Sequence, residues 1–185
     1  APIGFRRPHA SLRHFAGETL RELGDIERAT GTFEQALAGA PDGTAQCRAW
    51  IGLAGCMRIV DRMDEGLEFL DRAEIAAKAD TLNAELSDIH YLRGNFYFPM
   101  GRTDDCLHEH EQARNFGQLA GQPEAEARAL GGLGDAYYLR GQMGRAEDHF
   151  NRCVELCRQN GFERLEVVNL AMRANTRAYQ LRTAD

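Results

Sequence analysis

Two short stretches of the chain combine histidine with cysteine, the residue types that most often bind zinc. In the first stretch, Cys106, His108 and His110 alternate, and in a helix this spacing points them to different faces. In the second, His149, Cys153 and Cys157 recur every fourth residue, which places them on one helical stripe. Structural zinc needs four convergent ligands. We therefore predict no metal site and interpret Cys153 and Cys157 as small core residues.

The sequence also contains few residues that could bind phosphate or act as catalytic nucleophiles. The stretch from Gly131 to Asp135 (GGLGD) superficially resembles a phosphate-binding loop, but such a loop follows a strand and opens a helix. This stretch lies inside a helical pattern, which favours close helix packing, with space for a ligand as the alternative use of its glycines. The two serines, Ser11 and Ser87, lie in no G-x-S-x-G motif. We predict a protein that is not an enzyme and binds no cofactor.

The composition and the net charge argue against several further classes of function. The net charge of −6 argues against nucleic-acid binding, which rewards clustered positive charge. No run of about 18 apolar residues is present, so no membrane span is predicted. No apolar segment follows Arg6 and Arg7, so a secretory signal is not expected. Five cysteines without a disulfide pattern indicate free thiols and a cytoplasmic protein. A start at Ala1 without Met suggests a piece of a longer protein.

A repeat organises the chain. Gly101, Gly121, Gly141 and Gly161 stand 20 residues apart, with apolar residues at helical spacing between them. Since glycine commonly follows a helix end, each block predicts one helix and a turn, and two blocks form one unit. Small residues recur at two places in each unit, where they would let helices approach closely: Gly17, Ala54, Gly94, Gly134, and Ala29, Gly66, Cys106, Ala146. Large residues between them fill the core: Leu20, Met57, Tyr97, Tyr137, Phe33, Leu70, Phe150.

This pattern resembles the tetratricopeptide repeat family on a common set of positions: Trp50, Leu53, Gly134, Tyr137, Ala146, Phe150 and Pro41. The resemblance implies an all-α, right-handed superhelical solenoid of antiparallel helix pairs. The expected limits within a single array over 1–185 are 10–42, 45–80, 83–121 and 123–161 for four repeats, and 163–183 for an unpaired or capping helix. The period of 40 exceeds the common period of about 34, which predicts longer helices. The third repeat departs most, with His90, Arg93 and His110 at usually apolar positions. The long period also resembles repeat regions of large bacterial signalling ATPases and nucleotide cyclases.

The family resemblance implies that the first helix of each pair lines a concave groove. Helical periodicity then selects the candidate groove residues: Arg58, Tyr91, Asn95, Phe98, Arg128, Asp135 and Tyr138. Some family members hold a terminal carboxylate there, but Glu18 and Asp135 stand where that site needs basic or amide groups. Aromatic residues beside arginines are instead typical of binding hot spots. As an alternative, Phe98 and Tyr138 only pack against the next repeat.

These observations predict a module that binds a protein or peptide along the groove. The first alternative is a regulatory or sensor segment of a larger bacterial signalling protein. The second is self-association, possible as a homodimer through apolar residues of the last helix: Leu165, Val168, Leu170, Met172 and Tyr179. End repeats without a polar cap tend to stack in this way.

Overall fold

The computed structural model describes residues 10–182, so the N-terminal segment with Arg6 and Arg7 lies outside the described residues. The described part of the chain folds into nine α-helices, and the all-α prediction is confirmed. They are α1 (Ala10–Glu22), α2 (Ile26–Ala38), α3 (Gly43–Ile59), α4 (Met63–Ala79), α5 (Asn83–Tyr97), α6 (Thr103–Leu119), α7 (Pro123–Leu139), α8 (Met143–Asn160) and α9 (Glu163–Arg182).

The helix ends follow from local chemistry. Asp25 and Asp42 precede α2 and α3, and each side chain accepts a hydrogen bond from a backbone N–H of the first turn. Pro123 begins α7, where its missing N–H costs nothing. The four predicted helix-ending glycines have positive φ angles between 63° and 76°, as the spacing predicted. Two positions in the same 20-residue series carry other residues, Asp61 and Thr81, with φ angles of 60° and 55°.

The chain divides into two compact units, the first ending at Leu82 and the second beginning at Asn83. In the first unit, α1 packs on α2 and α3, and α3 packs on α4. Its core contains Phe33, Leu53 and Met57, with Trp50 packed against them. In the second unit, α5 to α9 pack in chain order, and the odd-numbered helices also contact one another in sequence. Each unit therefore places its first helices side by side.

The predicted role of the small residues is confirmed at several glycines. The ring of Phe33 lies against Gly17 and Gly52, so a Cβ atom at Gly17 would come within 2.7 Å of the ring. The ring of Phe150 lies against Gly134 in the same way. In the third repeat His110 takes this place, with its ring between Gly94 and Gly132. Aromatic side chains of second helices thus fill space that first-helix glycines leave open.

Candidate binding face of the second unit

The predicted groove residues fall into both units. Arg58 lies in the last turn of α3 in the first unit, where its side chain is exposed. The other six lie in the second unit, on α5, directly after α5, or on α7: Tyr91, Asn95, Phe98, Arg128, Asp135 and Tyr138. We call the surface formed by these six residues, Asp88 and the neighbouring side of α9 the first-helix face.

A salt bridge joins α5 and α7 on this face. Arg128 on α7 donates through Nη2 to Oδ1 of Asp88 on α5, at 2.6 Å. These residues are 40 apart, the period of the repeat. Asn95 and Asp135 are separated by the same 40 residues, as are Phe98 and Tyr138, so each pair occupies equivalent positions of successive repeats.

Arg128 has partners within the protein. Besides Asp88, its guanidinium lies over the ring of Tyr91, 5.2 Å from the centroid. Tyr91 in turn contacts the ring of His110 at 5.6 Å. The positive charge of Arg128 is thus already matched by a carboxylate of the protein. A ligand carboxylate at Arg128 would have to compete with Asp88.

The two aromatic residues at the end of this face behave differently. Tyr138 makes an edge-to-face contact with Tyr179 of α9, with ring centroids 5.7 Å apart. This contact is the packing against the next repeat that was considered as an alternative. Phe98 is 36% exposed, and its backbone N–H closes the end of α5 on the carbonyl of Gly94. Phe98 therefore offers apolar surface to a partner, whereas the ring of Tyr138 already has a neighbour.

Asp135 is the carboxylate of this face that has no partner. It is half-buried and makes no ion pair or hydrogen bond with another described residue. Burial raises the pKa of Asp135 to about 6, because removal from water disfavours the charged form. A negative charge held without a counter-charge is unfavourable in the free protein and is available to a ligand.

Asn169 on α9 belongs to the same face and was missed from the sequence. It is only 4% exposed, and its Nδ2 donates to the carbonyl of Leu165 at 2.9 Å. Since that carbonyl can only accept, Oδ1 is the atom that lies toward Gly131. Leu170 and Ala174 stand 40 residues after Leu130 and Gly134, two packed positions of α7. In the structure Leu170 is half-buried and Ala174 is exposed, while Asn169 and Thr176 are buried.

The unusual polar residues of the third repeat form a buried cluster between α5 and α6. His90 Nδ1 lies 2.7 Å from Glu109 Oε2, and Arg93 Nη1 lies 3.7 Å from the same oxygen. Ser87 donates to the carbonyl of Ala113 at 2.8 Å. The pairing explains how these groups are tolerated at positions that are usually apolar. His110 differs, because its buried Nδ1 has no hydrogen-bond partner among the described residues and burial lowers its pKa to about 4.

The histidine and cysteine stretches do not converge. His108 is exposed, while Cys106 and His110 are buried. Cys153 is buried and donates its S–H to the carbonyl of Ala127 at 3.1 Å, and burial raises the pKa of its thiol. His149 stacks on Tyr137 with the ring centroids 5.2 Å apart. Between residues 10 and 182, no group of three or more metal-binding side chains is brought together.

Comparisons with known proteins agree with this fold. A family model of the tetratricopeptide repeat matches residues 85–159, which run from the first turn of α5 almost to the end of α8. No curated protein sequence matches the chain. Among the helices that the structure describes, none combines the length and apolar character needed to cross a bilayer.

Several solved structures share the fold at low sequence identity. One is a signal-transduction ATPase with numerous domains and a tetratricopeptide repeat sensor, from Pyrococcus horikoshii. Its TM-score is 0.81 at 15% identity, over 94% of this chain and 27% of that one. A Rap protein complexed with Competence and Sporulation Factor matches with a TM-score of 0.82 at 12% identity, over 95% of this chain and 50% of that one. The tetratricopeptide-like repeats of a kinesin light chain from P. anserina match with a TM-score of 0.69 at 17% identity, over 97% of this chain and 92% of that one.

The present chain thus spans about a quarter of the ATPase and half of the Rap protein. Residues 85–159 match the tetratricopeptide repeat model, and the chain shares the fold of proteins built from tetratricopeptide repeats.

Proposed function

We propose that this chain is a binding module that holds a peptide or an extended protein segment on the first-helix face of its second unit. The observation that carries the proposal is Asp135, a half-buried carboxylate without a protein partner among the described residues, at the position of its repeat that Asn95 occupies in the preceding one. Phe98 adds exposed aromatic surface at the end of the same face. Few proteins leave a desolvated charge unpaired without a use for it.

The same reasoning makes catalysis by this chain unattractive. The serine and cysteine side chains that could serve as nucleophiles are inert where the structure describes them as buried. Ser87 is fixed by Ala113, and Cys106 and Cys153 have raised pKa values because of their burial. A thiol with a raised pKa is a poor nucleophile at neutral pH. We therefore propose a non-catalytic role, in the cytoplasm, where such free thiols persist.

A second candidate is a regulatory or sensor segment of a larger signalling protein. The Pyrococcus ATPase favours it, because that protein has a tetratricopeptide repeat sensor and this chain matches about a quarter of its length. The complete reading frame around this segment decides between the two candidates. An adjoining ATPase or cyclase domain supports the sensor, and a frame without one supports an independent binding module.

Self-association through α9 is the third candidate. Val167, Val168, Tyr179 and Leu181 on that helix are between 48% and 73% exposed, and apolar surface of this kind supports contacts between copies. Sedimentation of the full chain at two concentrations tests it. A mass that rises with concentration supports association, and replacement of Val168 by glutamate should then restore the monomer. A constant monomer mass excludes it.

The main proposal is tested by selecting binders to the full chain from a random dodecapeptide library. A selected peptide should lose about 10-fold or more in affinity when Phe98 is replaced by alanine, since aromatic side chains dominate such contacts. Leu119→Ala is the matched control, because Leu119 is also apolar and exposed in this unit but lies at the end of a second helix. Equal affinities for the two variants would contradict binding at the first-helix face.

A further inference from the structure

The residues around Asp135 indicate which kind of ligand group its carboxylate binds. Asp135 lies four residues after Gly131 on α7, so both face the same side of the helix. Asn169 approaches this side from α9, and its Oδ1 atom would lie 2.7 Å from a Cβ atom at Gly131. Because Gly131 has no side chain, the amide oxygen of Asn169 has room beside α7, on the side of the helix that carries Asp135.

Both groups present hydrogen-bond acceptors. The carboxylate of Asp135 accepts only, when ionised. Asn169 is more than nine-tenths buried, its Nδ2 is occupied by the carbonyl of Leu165, and its Oδ1 accepts no hydrogen bond from the described residues. Two acceptors on one face, neither of which accepts a hydrogen bond from the described residues, favour a donor group from outside.

Several of the protein's own arginines on the neighbouring helices are engaged elsewhere. On α7, Arg128 is paired with Asp88. On α9, Arg173 donates to Asn151 at 3.3 Å, and Arg177 is paired with Glu147. On α5, Arg93 is directed toward Glu109. No described arginine neutralises Asp135, and burial accordingly raises the pKa of Asp135 to about 6.

We propose that Asp135 and the Oδ1 atom of Asn169 together bind a cationic side chain, arginine or lysine, of the peptide held on the first-helix face. This assignment depends on the proposed function, which supplies the peptide. The negative charge of Asp135 indicates that the bound group is a cation. An arginine guanidinium suits the pair best, because its planar fork can donate to a carboxylate and to a second acceptor at once. The ligand is therefore a basic segment.

The direct test needs no selected peptide. The isotope-labelled full chain is titrated with Nα-acetyl-arginine amide and with Nα-acetyl-citrulline amide, which has the same shape without the charge. We expect the arginine derivative to shift the backbone amide signals of Asp135 and Asn169, and the citrulline derivative to bind at least about 10-fold more weakly. Binding of the arginine derivative should also weaken as the pH falls below about 6, because Asp135 becomes protonated.

Asp135→Asn removes the charge and keeps the shape, and should abolish the preference for arginine over citrulline. Its melting temperature should not be lower than that of the wild type, since the carboxylate it replaces has no partner in the free protein. Asp148→Asn is the control, because Asp148 is an exposed carboxylate on α8, and it should keep the preference. Equal binding of the two derivatives, or an unchanged preference in Asp135→Asn, would overturn the inference.

The cation site and the peptide-binding function would be contradicted by different results. A selected peptide that binds this face and keeps its affinity after every arginine and lysine in it is replaced overturns the cation site alone. If no peptide can be selected while the arginine derivative still binds at Asp135, the peptide-binding function is wrong and the cation site stands.

Discussion

Replacement of His110 by phenylalanine is expected to stabilise the protein by about 1–3 kcal/mol at neutral pH, the usual cost of a buried polar atom left without a partner. The His110 ring lies between Gly94 and Gly132, in the place that Phe33 and Phe150 take in other repeats. It is 1% exposed, and its Nδ1 has no hydrogen-bond partner in the part of the chain that the structure describes. Phenylalanine keeps the ring and removes the polar atoms.

The stabilisation by His110→Phe should increase as the pH falls. The pKa of His110 is lowered from 6.5 to about 4 by burial. In the unfolded chain this histidine therefore takes up its proton near pH 6.5, while in the folded chain it stays neutral. Because the unfolded state binds more protons, stability is lost as the pH falls from 6.5 to about 4. At about 1.4 kcal/mol for each pKa unit, the loss is on the order of 3 kcal/mol, and the phenylalanine variant escapes it.

Urea unfolding of wild type and His110→Phe at pH 7.5 and pH 4.5 measures both effects. His108→Phe is the control, because His108 is an exposed histidine on the same helix and should give no comparable gain. A phenylalanine variant that is less stable than wild type at pH 7.5, or a stability difference that does not widen at pH 4.5, would contradict this account of His110.

Replacement of Gly134 by alanine is expected to destabilise the protein by about 1–3 kcal/mol, as overpacking of a filled core does. Alanine is usually preferred to glycine within a helix by about 1 kcal/mol, so the ordinary expectation has the opposite sign. Here the new Cβ atom would lie 2.6 Å from Cδ1 of Phe150, whose ring is fully buried. The steric cost therefore exceeds the gain in helix propensity.

Gly144→Ala is the matched control for this prediction. Gly144 also lies in a helix of the second unit, but a Cβ atom there would have no neighbour within 4 Å. This variant should be as stable as wild type or slightly more stable. Urea unfolding of the two variants gives the comparison, and equal stabilities would mean that the Phe150 ring yields to the added methyl group.

The sequence predicts the helices well because the helix ends are encoded locally. The glycines at 20-residue spacing have the positive φ angles that their positions require. Asp61 and Thr81 adopt the same conformation. Aspartate enters it more readily than most residues, but for the β-branched threonine it is unusual. The repeat period, and not local preference, therefore sets the backbone at Thr81, and the spacing of the glycines alone did not identify either position.

The partners of polar residues were less accessible from the sequence. His90 and Arg93 stood out as unusual, yet their common partner Glu109 lies on the opposite helix, and helical periodicity does not identify it. The pair of Asp88 and Arg128 lies one 40-residue period apart, so the repeat register does contain that contact. Asn169 was missed because no helix follows α9 within the described residues, and the buried positions of α9 include Asn169 and Thr176 but not Ala174.

The central claim is that the first-helix face of the second unit holds the ligand. The most direct measurement is a map of backbone amide shifts when a selected peptide is added to the isotope-labelled full chain. The account predicts that the largest shifts occur at Tyr91, Asn95 and Asp135, with little change at exposed positions of the second helices, such as Glu111 and Glu155. Shifts concentrated on α6 and α8, with Asn95 and Asp135 unaffected, would contradict it.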